Sequence, residues 1–536
     1  MAVFLRTTEK ILLSLLVIAC TVVMGKSADP ALYIRHTIIA VVTVMLLLSV
    51  AARVFSGELK LPDTIPLGVV LFGLYFVAVA LSATVAVNFS ESLHEILRVF
   101  VFGTLFVLLL VVIDKDVMIK TLVVSGFILA VLGVYQCVFL AITKGGLAAS
   151  EYTGTMCNKN FWASAFLLTL PFGVYAIIKY RWWWKIVAGF AVFGGILNIF
   201  LLLTRSVILA AITAAFVAAC FNKKFFILFM ILVVLAGSCV LYFTPARTLD
   251  TISLQERISL WKPTLKMVAK SPFLGVGAGN WKLIIPEYSS DLMLEDAFKR
   301  IYYRQPHNDF LWVMSESGIP AFLLYVSIFV VAAWRCIKTR NVLILAALTA
   351  CLVDACFSFP KERAFHSLIQ IILLAMAFSK GTPHHRAQGS KPPMWLSPAV
   401  SISMVVIVFA AVNFGLRYRS DCMMKNILKK KATPYFILEE AEKYSWFYTV
   451  DLTTTPVKFF TATANFAAGD LRRATNDFAK AYKANPNHPY VLNGLGACLA
   501  KQGKYLDALP LIEKALKILP NYPEAEQNLE LILKRI

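Results

Sequence analysis

Apolar runs of about 16 to 24 residues recur along this chain as far as Phe414, and each is long enough, or nearly so, to cross a hydrocarbon core as a helix. Backbone in lipid has no water to bond, so runs of this kind dictate helices that satisfy their own hydrogen bonds. Thirteen are read: 11–25, 37–52, 65–87, 96–113, 122–142, 161–178, 184–204, 207–221, 225–243, 319–335, 342–357, 364–379 and 397–414. Composition agrees, with 59% hydrophobic residues, 15% charged and a mean hydropathy of +0.72, which excludes an ordinary soluble globule. The expected fold class is all-α: a polytopic bundle of transmembrane helices.

The net charge of +21 is a topology signal. With the N-terminus in the cytoplasm, the inner connections carry seventeen Lys and Arg, among them Arg6, Lys10, Arg53, Lys115, Lys179 and Arg335. The short outer connections carry seven: Lys26, Arg35, Lys144, Lys159, Arg205, Lys361 and Arg363. That is the direction of the positive-inside rule. No basic patch is interleaved with aromatics, so nucleic-acid binding is a poor reading. Arg6 and Lys10 before a short apolar core resemble a signal peptide, read here as an uncleaved anchor. The ten cysteines show no C-x-x-C pair and no metal spacing.

An odd span count before it puts the polar stretch from Pro245 to Gly318 outside the membrane, and the tail after Phe414 with it. In a Gram-negative cell both face the periplasm. The expected organisation is a membrane domain over 1–415, with its long loop at 245–318, followed by a periplasmic domain over 420–536. The tail repeats itself every 34 residues: Gly469, Ala474, Phe478, Ala481 and Pro486 recur as Gly503, Ala508, Ile512, Ala515 and Pro520. This is the tetratricopeptide period and pattern, small residues where two helices cross and Pro ending the second. Repeats are placed at about 455–488 and 489–522, with a closing helix over 523–536 that covers the last apolar face. Such repeats dock proteins, so a protein partner is expected there.

Five segments in order carry a resemblance. They are Gly154-Thr-Met-Cys-Asn-Lys-Asn-Phe-Trp-Ala163; Leu203-Thr-Arg-Ser206; Glu256-Arg-Ile-Ser-Leu-Trp261 with Pro272-Phe-Leu-Gly-Val-Gly-Ala-Gly-Asn280; His307-Asn308 with Glu316-x-Gly318; and Phe359-Pro360. Together, over roughly 154–379, they resemble the O-antigen ligase/polymerase family of bacterial membrane glycosyltransferases. The resemblance implies transfer of a glycan from undecaprenyl diphosphate to an acceptor hydroxyl, with inversion, without a metal and without a cofactor. The implied setting is the bacterial inner membrane, and the implied partners are the lipid-linked donor, lipid A–core or another hydroxyl acceptor, and membrane lipid.

The residues themselves suit that chemistry, which needs a base for the acceptor hydroxyl and cations for the departing diphosphate. His36, His94, His307 and His366 lie on or near the outer side, and His307 is the best base. Pro306 suits the first turn of a helix that Gly318 ends. His307 then sits at the positive end of the helix dipole, which favours the neutral imidazole that can accept a proton. Asn308 orients it or the substrate. The plain alternative for both is a helix cap. Arg205 stands where topology disfavours cations, which suggests an anionic partner; snorkelling at a span end is its alternative. Arg257 lies on a helix expected over 253–269, with Ile258, Trp261 and Leu265 as its apolar stripe; a solvated face is its alternative. Arg304 and Lys159 are further diphosphate candidates.

Three motifs are set aside. Gly275-x-Gly277-x-Gly279 has no βαβ unit around it and is read as a tight turn at the membrane surface. Asp114-Lys-Asp116 falls on the cytoplasmic side. His384-His385 has no acidic or cysteine companion. Within the transferase reading the acceptor is lipid A–core, a further repeat unit (a polymerase) or a protein hydroxyl. From other classes, a solute carrier is signalled only by Asp354 within a span. A repeat scaffold without chemistry leaves Arg205, Arg257 and His307 purposeless.

Overall fold

A computed structural model of the chain describes residues 2–61, 64–144, 151–224, 226, 227, 230, 252–289, 303–379, 394–429, 433–441 and 443–536. Among these there are twenty α-helices, and the only β pairing is one isolated bridge between Val450 and Pro456. The first group comprises α1 (Ala2–Val22), α2 (Tyr33–Phe55), α3 (Leu67–Ser82), α4 (Phe89–Val112), α5 (Lys115–Lys144), α6 (Lys159–Lys179), α7 (Trp182–Leu202) and α8 (Arg205–Ala219). Two helices belong to the long loop, α9 (Ile252–Lys270) and α10 (Trp281–Ile284). Four more complete the bundle: α11 (Asp309–Lys338), α12 (Val342–Ala355), α13 (Ala364–Phe378) and α14 (Leu396–Lys429).

Every described run of the sequence reading is a helix. Eight of them are long and apolar enough to cross a membrane: α2, α3 with the turn after it, α4, α5, α6, α7, α11 and α14. The apolar helices α8, α12 and α13 are shorter. α1 carries Arg6, Glu9 and Lys10 yet is built into the bundle, where buried Glu9 meets Arg53 at 2.5 Å and Ser49 at 2.9 Å. The run expected at 225–243 lies mostly outside the described residues, as do 245–251 and 290–302 of the loop and the pair His384-His385.

α13 is the axis of the bundle. Its sequence is apolar except for His366, Ser367 and Gln370, so it can be buried almost all round. All of its residues are buried, against α4, α11, α12 and others. At about 22 Å it falls short of a hydrocarbon core of about 30 Å. A helix wrapped entirely in protein need not match that thickness.

α14 runs unbroken from Leu396 to Lys429, well past the expected end of the last span at Phe414. The tail follows as α15 (Pro434–Ala441), α16 (Val457–Ala467), α17 (Leu471–Ala484), α18 (Pro489–Lys501), α19 (Tyr505–Ile518) and α20 (Pro523–Leu533). The repeat positions do what their chemistry suggests. Ala474, Ala481, Ala508 and Ala515 are fully buried at helix crossings. Gly469 and Gly503 take φ of 81° and 77° to end helices. Ile532 of α20 buries against Ala508, Ile512 and Ala525.

The tail is seated on the bundle. Asn88, which caps α4, donates to the Thr449 hydroxyl and the Ala484 carbonyl, both at 2.9 Å. Asn487 donates to the Leu283 carbonyl at 2.9 Å, and Lys514 stands 3.7 Å from Glu287. Below these contacts Arg417 of α14, fully buried, bonds Glu91 at 2.9 Å and the Ser90 carbonyl at 2.8 Å. Lys282 holds the other Glu91 oxygen at 2.7 Å. Breaking one partner of a buried ion pair costs about 3–5 kcal/mol. Arg417→Gln is therefore expected to lower the thermal midpoint clearly and to expose the 443–457 segment to protease. An unchanged melting curve would mean that Lys282 alone neutralises Glu91.

Candidate functional site

The loop is held by an interlock of glycines. Val276 N–H donates to the Ser315 carbonyl and Gly277 N–H to that of Glu316, both at 2.9 Å, and Ile319 N–H donates to the Pro272 carbonyl at 2.7 Å. Gly275, Gly277, Gly279 and Gly318 all have positive φ. A Cβ on Gly277 would come 2.6 Å from Ala86, and one on Gly279 would come 2.7 Å from the Glu91 carbonyl. On Gly275 it would collide with the Glu316 backbone, and on Gly318 with the Phe273 carbonyl. Asn280, buried, ties the loop to α4 through Asn88 (2.7 Å) and Ser92 (2.9 Å). Glu316 accepts the Trp281 N–H at 3.2 Å. The glycine run and Glu316-x-Gly318, two motifs in the sequence, are one structural unit. The glycines form the turns expected of them, and they also let the backbones approach closely.

This unit orients the segment carrying His307. Trp261 of α9 donates its indole N–H to the Pro306 carbonyl at 2.9 Å. The helix starts at Asp309 rather than at Pro306, because Asn308 is the cap: its side chain accepts the Leu311 N–H at 3.0 Å. His307 precedes that cap in the left-handed region, φ 53°. Gly318 breaks α11 with φ 83° and ψ 171°, so a short loop-side helix leads into the span. The His307 ring, partly buried, stands edge-on to Phe359 at 5.0 Å. Phe359 also meets Phe161 of α6 at 4.7 Å and Trp312 at 6.4 Å. Burial, and then the charge of Arg257, pushes the His307 imidazole down to about 4. Burial thus favours the neutral ring at neutral pH, the form expected from the sequence. His36 and His366 are buried in the bundle, and His94 packs edge-on to Tyr33 and Phe414.

Arg257 is half-buried over the Phe357 ring at 5.9 Å, so it is not on a solvated face. Burial lowers its pKa, against the opposing charge of Asp354. The buried stripe of α9 is Leu260, Thr264, Met267 and Val268, while Ile258 and Leu265 are exposed. Ile258 and Leu265, chosen from the sequence, are thus on the other face, while Trp261 is partly buried. Arg304 pairs with Glu362 at 3.4 Å, and Gln305 with the same carboxylate at 2.7 Å. Glu362, joined by Asp29, outweighs burial and raises the Arg304 pKa. Arg205 and Lys159 are exposed at the first residues of α8 and α6. Both helices pack on α12, whose Asp354 accepts the Ser164 hydroxyl of α6 at 2.6 Å.

Sequence reasoning passed over the residues that follow Phe359-Pro360. Lys361 is buried, 3.8 Å over the Trp312 ring, 3.4 Å from Glu95 and 3.6 Å from Glu316; its N–H donates to Asp309 at 2.9 Å. Arg98 bonds Glu95 and the Lys361 carbonyl. Arg363 lies 4.7 Å over Phe161 and pairs with Asp29 at 2.5 Å. The available signal was the rarity of outer cations, two of which stand here side by side with Glu362. Asp114 and Asp116 pair with Lys10 (2.7 Å) and Lys120 (2.5 Å), away from these groups. Among the described residues no group of three His, Cys, Asp or Glu is placed to hold a metal ion.

Fold and site thus define a multi-pass helical membrane protein with a long loop folded onto the bundle and a repeat tail. Residues 162–326 match the family model for O-antigen ligase, and residues 461–523 match that for the tetratricopeptide repeat. The first match begins inside α6 and ends within α11, so it contains Arg205, α9, the glycine interlock and His307. The resemblance read from the five segments therefore stands, with the repeat tail as an addition to it. No curated protein matches the chain.

Proposed function

We propose that the protein transfers a glycan from undecaprenyl diphosphate to a hydroxyl of lipid A–core at the periplasmic face of the inner membrane. The membrane domain, 1–415, performs the transfer, and the repeat domain, 420–536, lies on the same periplasmic side. The acceptor oxygen attacks the anomeric carbon while its proton passes to His307. The bond from that carbon to the diphosphate breaks with inversion, and undecaprenyl diphosphate leaves with the electron pair. Asn308 holds the turn that carries His307. Arg257, Arg205, Arg304 and Lys159 offset the charge of the leaving group, in place of a metal ion. The observation that carries this reading is the placement of His307, in the segment tied down by the Trp261–Pro306 bond, inside the stretch that matches the ligase family. A protein acceptor is the second reading, favoured by the seating of the repeat tail directly on Leu283 and Glu287 of the loop.

The test is transfer by purified protein in vesicles, with undecaprenyl-diphosphate glycan and lipid A–core, in excess EDTA. Product is expected. Arg257→Lys should lose about 10²–10³-fold in kcat, because ammonium lacks the bidentate fork of guanidinium. Abolition by EDTA with rescue by Mn²⁺ would overturn the metal-free mechanism. Glycosylation of proteins in place of lipid A–core would establish the second reading.

A further inference from the structure

The chain after α14 turns back toward the membrane. Arg417 of α14 bonds the Ser90 carbonyl, and Ser90 is the second residue of α4, so Arg417 marks the loop-side end of the spans. The carbonyl of Phe447 accepts the Ser90 hydroxyl at 2.6 Å, which sets that residue's backbone at the same level. Its ring points the other way along the helix, because it meets Phe409 of α14 with ring centroids 5.7 Å apart. Phe409 lies eight residues further into the span than Arg417, about 12 Å along a helix axis. Phe447 therefore reaches down the side of the bundle. Trp446 stacks on that ring at 4.2 Å and 30°, with 79% of its surface uncovered. The adjoining face of α14, a helix long and apolar enough to cross a membrane, is uncovered and apolar: Val405, Val408 and Val412 are 66%, 46% and 51% exposed.

We propose that Trp446 is an interfacial anchor, seated among the headgroups and first methylenes of the bilayer's loop-side leaflet, which pins the root of the repeat tail to the membrane. Its partner is the phospholipid surface of that membrane. An indole suits this place chemically: its ring replaces lipid contact, and its N–H meets water or a headgroup oxygen. The surface is continuous with that uncovered apolar side of α14, which sets its occupant apart from a protein docked in water. With Asn88 and Asn487 bonding the tail from above, Trp446 supplies the lower fixed point.

Two measurements test it on the full-length protein in phosphatidylethanolamine/phosphatidylglycerol vesicles. The first attaches a nitroxide at Trp446→Cys, at Leu506→Cys on the far tail helix α19 and at Ile402→Cys within α14. The label at 446 should be relaxed by oxygen more than by a water-soluble nickel complex, close to 402 and unlike 506. The second keeps the native side chain: lipids brominated near the headgroup should quench the intrinsic fluorescence, and Trp446→Phe should lose a measurable part of the quenchable signal. A label at 446 as open to nickel as that at 506 overturns the proposal. So does a short label-to-label distance between two copies, which would assign Trp446 to a dimer contact. Equal quenching in wild type and Trp446→Phe overturns it as well.

Discussion

Replacing His307 with Ala is expected to lower the turnover of glycan transfer by about 10²–10⁴-fold, the usual contribution of a general base. Binding of the lipid-linked donor should change little if, as proposed, the arginines carry that interaction. The pH profile separates a base from a structural histidine. The folded pKa is depressed to about 4, first by burial and then by Arg257. The neutral base is thus present above that value. Turnover should hold level through about 6.5, where free imidazole titrates, and fall only as pH approaches 4. Arg257→Gln removes one of the two causes and should move the acid limb upward. Stability follows the same linkage. Burial of the neutral ring contributes fully above about 6.5 and is lost progressively as pH falls from there through 4, since the unfolded chain takes up the proton first. Near-native turnover in His307→Ala with the same profile would assign the proton to another group.

Gly318→Ala should be as damaging by another route. The backbone there has φ 83° and ψ 171°, a region that belongs to glycine, and an added Cβ meets the Phe273 carbonyl. The conformation costs about 1–3 kcal/mol, and a collision with backbone that cannot step aside adds about 1–3 kcal/mol. The interlock with 272–277 should open, with loss of both activity and thermal stability. Gly469→Ala and Gly503→Ala provide the control. They share the sign of φ, 81° and 77°, but an added Cβ there has open space. They should cost only the left-handed conformation, about 1–2 kcal/mol. If all three variants melt alike, the close approach at Gly318 is not what holds the loop.

The sequence was strongest where one physical rule acts locally. Spans follow from runs of apolar residues, and the repeat tail follows from Gly, Ala and Pro returning every 34 residues. Both are written along the chain, and the structure has helices at every described run and at both repeats. His307 was singled out by its polar loop, by an expected helix start at Pro306 and by the pattern His-Asn…Glu-x-Gly that the family resemblance supplies. The face of α9 was misjudged for the opposite reason. Ile258 and Leu265 read as buried because they are large and apolar, yet beside a bilayer an apolar side chain need not enter the protein core.

What the chain determined alone is therefore its class: a helical membrane bundle and a repeat tail, because hydropathy and short-range spacing decide these, with an ordered set of motifs that carries the family resemblance. Only the tertiary structure decided which distant residues meet. It locked Gly277 to Glu316, set Lys361 between Glu95 and Glu316, placed Arg257 within electrostatic reach of His307, and seated the tail on Asn88 and Leu283. None of these pairings leaves a local mark. Each depends on helix ends brought together by packing around α13, and packing is a property of the whole bundle.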